Sequence, residues 1–164
     1  PLLSIHVPGS SLLNGVAVAD DRTIYSSNTR PDWKLHKITK DGKSSVLAAD
    51  GKLNIPNGVA IDPDGNVVVV NIGNRDVVTY SPSGKVVRVE QSGEKGSDGI
   101  VIMDDGTKYV CSVYHGSVSR ILPGKKAEII AKGIPSAASM CYDSIQHQLV
   151  IPMNPNNGLA FLKL

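Results

Sequence analysis

The chain has 164 residues, 17 of them basic and 15 acidic, with 16 Gly, 10 Pro and only one Trp and one Phe. That length buries a sizeable core, and nearly balanced charge with no basic stretch interleaved with aromatics excludes nucleic-acid binding as its main business. No apolar run approaches the roughly 18 residues of a membrane helix, so we expect a soluble, turn-rich protein with an aliphatic core and no membrane partner.

Taken in chain order, residues 1–7 read as a strand with no module of its own. The first module, about 13–49, opens on Leu13-Asn14-Gly15-Val16-Ala17-Val18 and continues with strands at 23–27, 34–39 and 44–48, the last two joined by the Asp41-Gly42 turn. The second, about 55–91, opens on Pro56-Asn57-Gly58-Val59-Ala60-Ile61. Asp64-Gly65 then supplies a hairpin, because such turns need positive φ. Residues 67–70 are a β-branched run, apolar on both faces, as a strand between two neighbouring sheets should be. Residues 77–80 and 85–90 complete that unit around Ser83-Gly84. The third module, about 96–132, opens on Ser97-Asp98-Gly99-Ile100-Val101-Ile102.

The key polar residue thus recurs at 14, 57 and 98, with Asp21, Asp64 and Asp105 each seven residues later. The fourth module, about 134–164, is degenerate. Aligning Asp143 with Asp62 places Ala138 at the key position, with Ser136 and Ser139 as alternatives if the copy has slipped. Its strands fall at 139–142, 148–152 and 159–164, and a fourth is missing. A period near 40 with strands throughout and no helical periodicity predicts an all-β fold. The architecture expected is a β-propeller of about four four-stranded blades forming one domain: a closed ring, or half of a larger or dimeric propeller. Closure would pair residues 2–7 with 159–164, since an unpaired edge strand is a liability. An open array would instead expose two faces and favour a homodimer completing the propeller.

Residues at one phase of such a repeat face one axis. Asn14, Asn57 and Asp98 should therefore converge on the mouth of the central channel, offering hard oxygen donors suited to Ca²⁺, Mg²⁺ or Mn²⁺. The same Asn-Gly and Asp-Gly dipeptides also serve as ordinary turns. A second ring, Asn28, Asn71 and Ser112, follows at the end of each second strand, either contacting a small-molecule ligand or capping strand ends. Trp33, Arg30, Arg75, Tyr114 and His115 stand in the rim loops as pocket-shaping candidates. Arg75 could equally pair with Asp76 or a neighbouring blade. His6 and His36, in predicted strands, and His147, in a hairpin turn, read as structural or solvated. Cys111 and Cys141 lie in apolar strands and read as buried free thiols, which leaves the compartment open. No nucleophile elbow, His-Glu-X-X-His, phosphate loop or Cys-X-X-Cys is present.

The Pro-Asn-Gly-Val-Ala-Ile-Asp-Pro-Asp-Gly unit and Ser-Asp-Gly-Ile-Val-Ile-Met-Asp-Asp-Gly resemble the regucalcin/gluconolactonase/luciferin-regenerating-enzyme superfamily of six-bladed propellers. Residues 133–135, 141–143, 149–152 and 161–164 resemble the carboxyl end of bacterial members. The likeness spans nearly the whole chain and matches roughly the last four blades. It implies one divalent cation in the channel (Ca, Mg, Mn or Zn) and hydrolysis of a lactone or ester. Asn57 and Asp98 would then match metal ligands, Asp98 the proton-transfer residue, and Asn14 a substrate-side asparagine. The family's remaining ligand is a glutamate of the first blade, which has no counterpart here, so the implied site holds one formal negative charge. NHL-type propellers share the Asn-Gly unit, so a non-catalytic binding module and an inactive structural fragment stand beside the lactonase-type reading.

Overall fold

The computed structural model describes residues 4–30 and 32–164. Among the described residues there are fifteen strands and one short 3₁₀ turn, and the strands build four antiparallel sheets. The first sheet holds β1 (Leu13–Val18), β2 (Ile24–Asn28), β3 (Lys34–Ile38) and β4 (Ser44–Ala48). The second holds β5 (Pro56–Ile61), β6 (Val67–Asn71), β7 (Asp76–Tyr80) and β8 (Val86–Gln91). The third holds β9 (Ser97–Ile102), β10 (Lys108–Ser112), β11 (Ser117–Ile121) and β12 (Glu128–Ala131). The fourth holds only β13 (Cys141–Asp143), β14 (Gln148–Met153) and β15 (Gly158–Lys163). Strands run in sequence order across every sheet, and the inner strands stack in the order β1, β5, β9, β13. This is the blade arrangement of a propeller.

The pleat explains the core. Val67 and Val69 of β6 point toward the first sheet and meet Tyr25, Leu35 and Tyr80. Val68 and Val70, one residue out of phase, point toward the third sheet and meet Ile100, Val110 and Ile121. A strand packed between two sheets needs apolar side chains on both faces, and the four valines of β6 are all fully buried. Tyr109, Cys111, Val118, Leu149 and Ile151 seal the third sheet against the fourth. The hairpin glycines Gly42, Gly65, Gly84 and Gly106 all sit at positive φ, as the turn dipeptides predict. In the first blade Arg22 takes that conformation, at φ 69°, where the second and third repeats have Gly65 and Gly106.

Two expectations are corrected. Residues 4–7 form no strand and do not join the fourth sheet. Ile5 lies instead over the β3–β4 turn, 3.7 Å from where a methyl on Gly42 would be, and Gly9 lies beside Lys34 at the other end of β3. Val7 is buried and its carbonyl accepts the Ser10 amide, while Ile5 covers the first blade's outer turn. Leu2 and Leu3 lie outside the described residues. Among the described residues β15 keeps a free edge, no strand pairing closes the ring, and Val16, Val18, Leu159 and Phe161 are more than half exposed at the two ends of the row. The second correction concerns the thiols. Cys111 is buried and Cys141 is exposed, because Cys141 points away from the third sheet while its neighbour Tyr142 packs against it.

Candidate functional site

The inner strands of the first three blades each carry a β-bulge at the key dipeptide. Leu13 pairs with Asn28 and Val16 with Ser26, three residues against two. Pro56 and Val59 oppose Asn71 and Val69 in the same way, as do Ser97 and Ile100 opposite Ser112 and Val110. Asn14-Gly15, Asn57-Gly58 and Asp98-Gly99 are therefore bulge residues within strands. A bulge bends the chain and re-aims a side chain, which turns three polar groups toward the axis. The glycine has its own reason. A methyl on Gly15 would lie 2.0 Å from the Asn57 carbonyl oxygen, one on Gly58 2.4 Å from that of Asp98, and one on Gly99 2.9 Å from that of Ala138. Each blade thus leans its glycine on the next blade's key carbonyl.

That contact fixes the register of the fourth copy. Ala138 stands where Asn57 and Asp98 stand. The side chain preceding the second ring repeats the pattern: Ser27 donates to the Asn57 carbonyl at 2.5 Å, and Cys111 donates to that of Ala138. Ala137 bridges Met153 as Pro56 pairs with Asn71. The left-handed residue two before the key position recurs as well, at Ile55, Gly96 and Ser136. Ser136 is therefore not at the key position. Ser139 takes the place of the glycine and lines the site.

The site is a cleft of about 270 Å³ formed by Asn14, Asn57, Asp98 and Ser139 with the bulge backbones, Val16 and Met140. Asn57, buried, donates its amide to Asp98 Oδ2 at 3.2 Å. Asn14 is exposed and Asp98 half-buried. Burial pushes the Asp98 carboxyl above its ordinary value. No Lys, Arg or His lines the cleft, so its single formal charge is negative and uncompensated. The donor set fits a hard cation in kind, with amide and carboxylate oxygens free of any basic competitor. In number it supplies fewer oxygens than the six to eight Ca²⁺ prefers. Among the described residues no group of three His, Cys, Asp or Glu comes together.

The other candidates lie elsewhere. Asn28 and Asn71 are fully buried with their amides engaged by backbone. Asn28 Oδ1 accepts from the amides of Ser11 and Leu12 at 3.2 Å, and its Nδ2 donates to the Asp32 carbonyl at 2.7 Å. Asn71 Oδ1 accepts from the Asn54 amide at 2.8 Å, and its Nδ2 donates to the Asp76 carbonyl at 3.0 Å. Ser112 bonds the Lys95 carbonyl and the His115 amide. This ring ties loops to strand ends, the capping alternative that the sequence also offered. Trp33, Tyr114 and His115 are exposed and do not line the cleft. Arg75 donates to the Ser92 carbonyl at 2.9 Å within its own blade.

No protein-family profile matches the sequence, and neither does any curated protein. Among solved structures, a gluconolactonase of Xanthomonas campestris superposes over 98% of this chain and 61% of its own, with TM-score 0.73 and 19% identity. The structure of a nidogen–laminin complex matches over 98% of this chain and 67% of that one, at TM-score 0.78 and 16% identity. A streptogramin B lyase matches over 96% and 56%, at TM-score 0.71 and 16% identity. At these identities the likeness is one of fold, which is that of gluconolactonase-like propellers and their relatives. The chain spans less than two thirds of the gluconolactonase's length.

Proposed function

We propose that the bulge cleft binds a small, uncharged, oxygen-rich ligand and hydrolyses a lactone or ester within it. The observation that carries this is the Asn57–Asp98 pair, held at 3.2 Å across two blades in a cleft with no other ionisable side chain. Asn57 and Asp98 would hold a divalent cation, which when bound polarises a carbonyl and acidifies water. Asp98 takes a proton from the attacking water as the water oxygen bonds to the carbonyl carbon. The ring C–O bond then breaks, and Asp98 returns the proton to the departing alkoxide, so that lactone and water give one hydroxy acid. Asn57 holds the carboxylate in place, while Asn14 and Ser139 bond ligand hydroxyls. The likeness in fold to a gluconolactonase supports this reading.

The test is hydrolysis of a sugar δ-lactone followed by base uptake in a pH-stat, with and without millimolar Mn²⁺ or Ca²⁺. Asp98→Asn should remove activity while leaving the fold intact, and equal rates in the two proteins would overturn the proposal. The small donor number favours a second reading, a non-catalytic binding propeller. That reading predicts lactone binding without turnover, a combination the same preparations reveal.

A further inference from the structure

At the opposite ends of the inner strands, a groove of about 700 Å³ opens between the third and fourth sheets. Three rings line it: Tyr109, Tyr142 and His147. Tyr142 and His147 are tied by a 2.9 Å hydrogen bond between the phenol oxygen and Nδ1, with their ring planes 52° apart. Two carboxylates, Asp104 and Asp105, stand at the same wall, and no Lys or Arg lines the groove. Asp105 is committed on one oxygen to the Thr107 amide at 2.9 Å. Asp104 forms no ion pair among the described residues. Thr107, only 2% exposed, also lines the groove, and its hydroxyl has no hydrogen-bond partner. Met103 and Leu164 add apolar wall.

Aromatic faces attract a cation through their quadrupoles, carboxylates attract it by charge, and a buried orphan hydroxyl calls for a polar partner. The neighbouring cleft, which runs from the first sheet to Met103 and Asp104 of the third, also gathers Asp20, Asp21 and Asp62 and sets Lys37 among them. On their other side Asp104 and Asp105 border a smaller cleft that holds Arg88 and Lys108, whereas the groove beside the fourth sheet is itself lined by carboxylates and rings with no Lys or Arg. We propose that it is a second ligand site, taking a small organic ammonium ion with a short apolar tail. Its ammonium group sits between Asp104 and the tyrosine rings, and its tail lies on Met103 and Leu164. The site is independent of the cleft at Asn57 and Asp98.

Titration with n-butylammonium, followed by ligand-observed NMR and calorimetry, tests this, with butyrate as the isosteric anion. Butylammonium should saturate one site and butyrate should not bind. Asp104→Asn, an exposed and isosteric change, should weaken butylammonium about threefold to fivefold and leave lactone hydrolysis unaltered. Tyr142→Leu should weaken it similarly, and if that variant loses its fold by circular dichroism, Asp104→Asn decides alone. No saturable butylammonium binding, equal binding of butyrate, or unchanged affinity in Asp104→Asn would overturn the proposal.

Discussion

Replacing Gly58 by alanine tests how the blades create the site. A methyl there would lie 2.4 Å from the Asp98 carbonyl oxygen, 3.0 Å from Val70 Cγ2 and 3.3 Å from Ile100 Cγ2. Ordinary contact begins near 3.4 Å, so the second and third blades must part by about 1 Å at their inner strands. Backbone and two β-branched side chains surround the methyl, and none of them yields as a flexible chain end would. Overpacking of this kind costs about 1–3 kcal/mol, which for a domain of this size lowers Tm by roughly 3–10 °C. The same displacement moves Asp98 away from the Asn57 amide, so cation and lactone binding should fall with stability. Gly51 is the control: an added methyl meets nothing within 4 Å, and its φ is not positive. Gly51→Ala should be neutral or slightly stabilising. The assay is thermal unfolding by circular dichroism, with ligand titration on the folded protein. If Gly58→Ala melted with the wild type and bound ligand equally, the glycine-on-carbonyl contact would not set the spacing of the site.

Three further predictions concern stability and assembly. Burial raises the folded-state carboxyl of Asp98 above its ordinary value, so its ionisation penalises the folded state at neutral pH, and the penalty is absent once the carboxyl is protonated in both states. Asp98→Asn should therefore raise the urea midpoint at pH 7, with the gain vanishing by about pH 3; a loss at pH 7 would contradict the burial argument. Tyr80, fully buried, donates its phenol to Asp50 Oδ1 at 2.9 Å, and Tyr80→Phe should cost about 1 kcal/mol by urea denaturation. The apolar residues exposed at the ends of the row, Val16 and Val18 on the first sheet and Leu159 and Phe161 on the fourth, should drive the isolated chain to self-associate. Sedimentation velocity would show this, and a monodisperse monomer at high concentration would refute it.

The sheets were legible because strand patterning and turn chemistry agreed. The β-branched run at 67–70 could only be a strand buried on both faces, and Asp64-Gly65 could only turn tightly beside it. The convergence of Asn57 and Asp98 was legible from their common phase. Its cause was not, since a bulge shows only in the pairing of two strands, and Asn-Gly read alone suggests a turn. Asn28 and Asn71 shared a phase too, yet their surroundings supply backbone partners for both ends of each amide, which position alone does not reveal. Ser139 was missed as a site residue because its copy lacks the polar key residue, and the only signal was its place as an alternative in the register. The course of residues 4–7 depended on which of two apolar surfaces they cover, a tertiary choice that their own pattern does not encode.

Calorimetric titration of Ca²⁺ and Mn²⁺ into the chain, repeated with Asn57→Ala and Asp98→Ala, addresses the central claim most directly. Two protein donors and one charge predict a single site with affinity on the order of millimolar, lost in both variants. Absence of saturable heat at millimolar cation, or equal binding by the variants, would contradict the assignment of a cation to the bulge cleft.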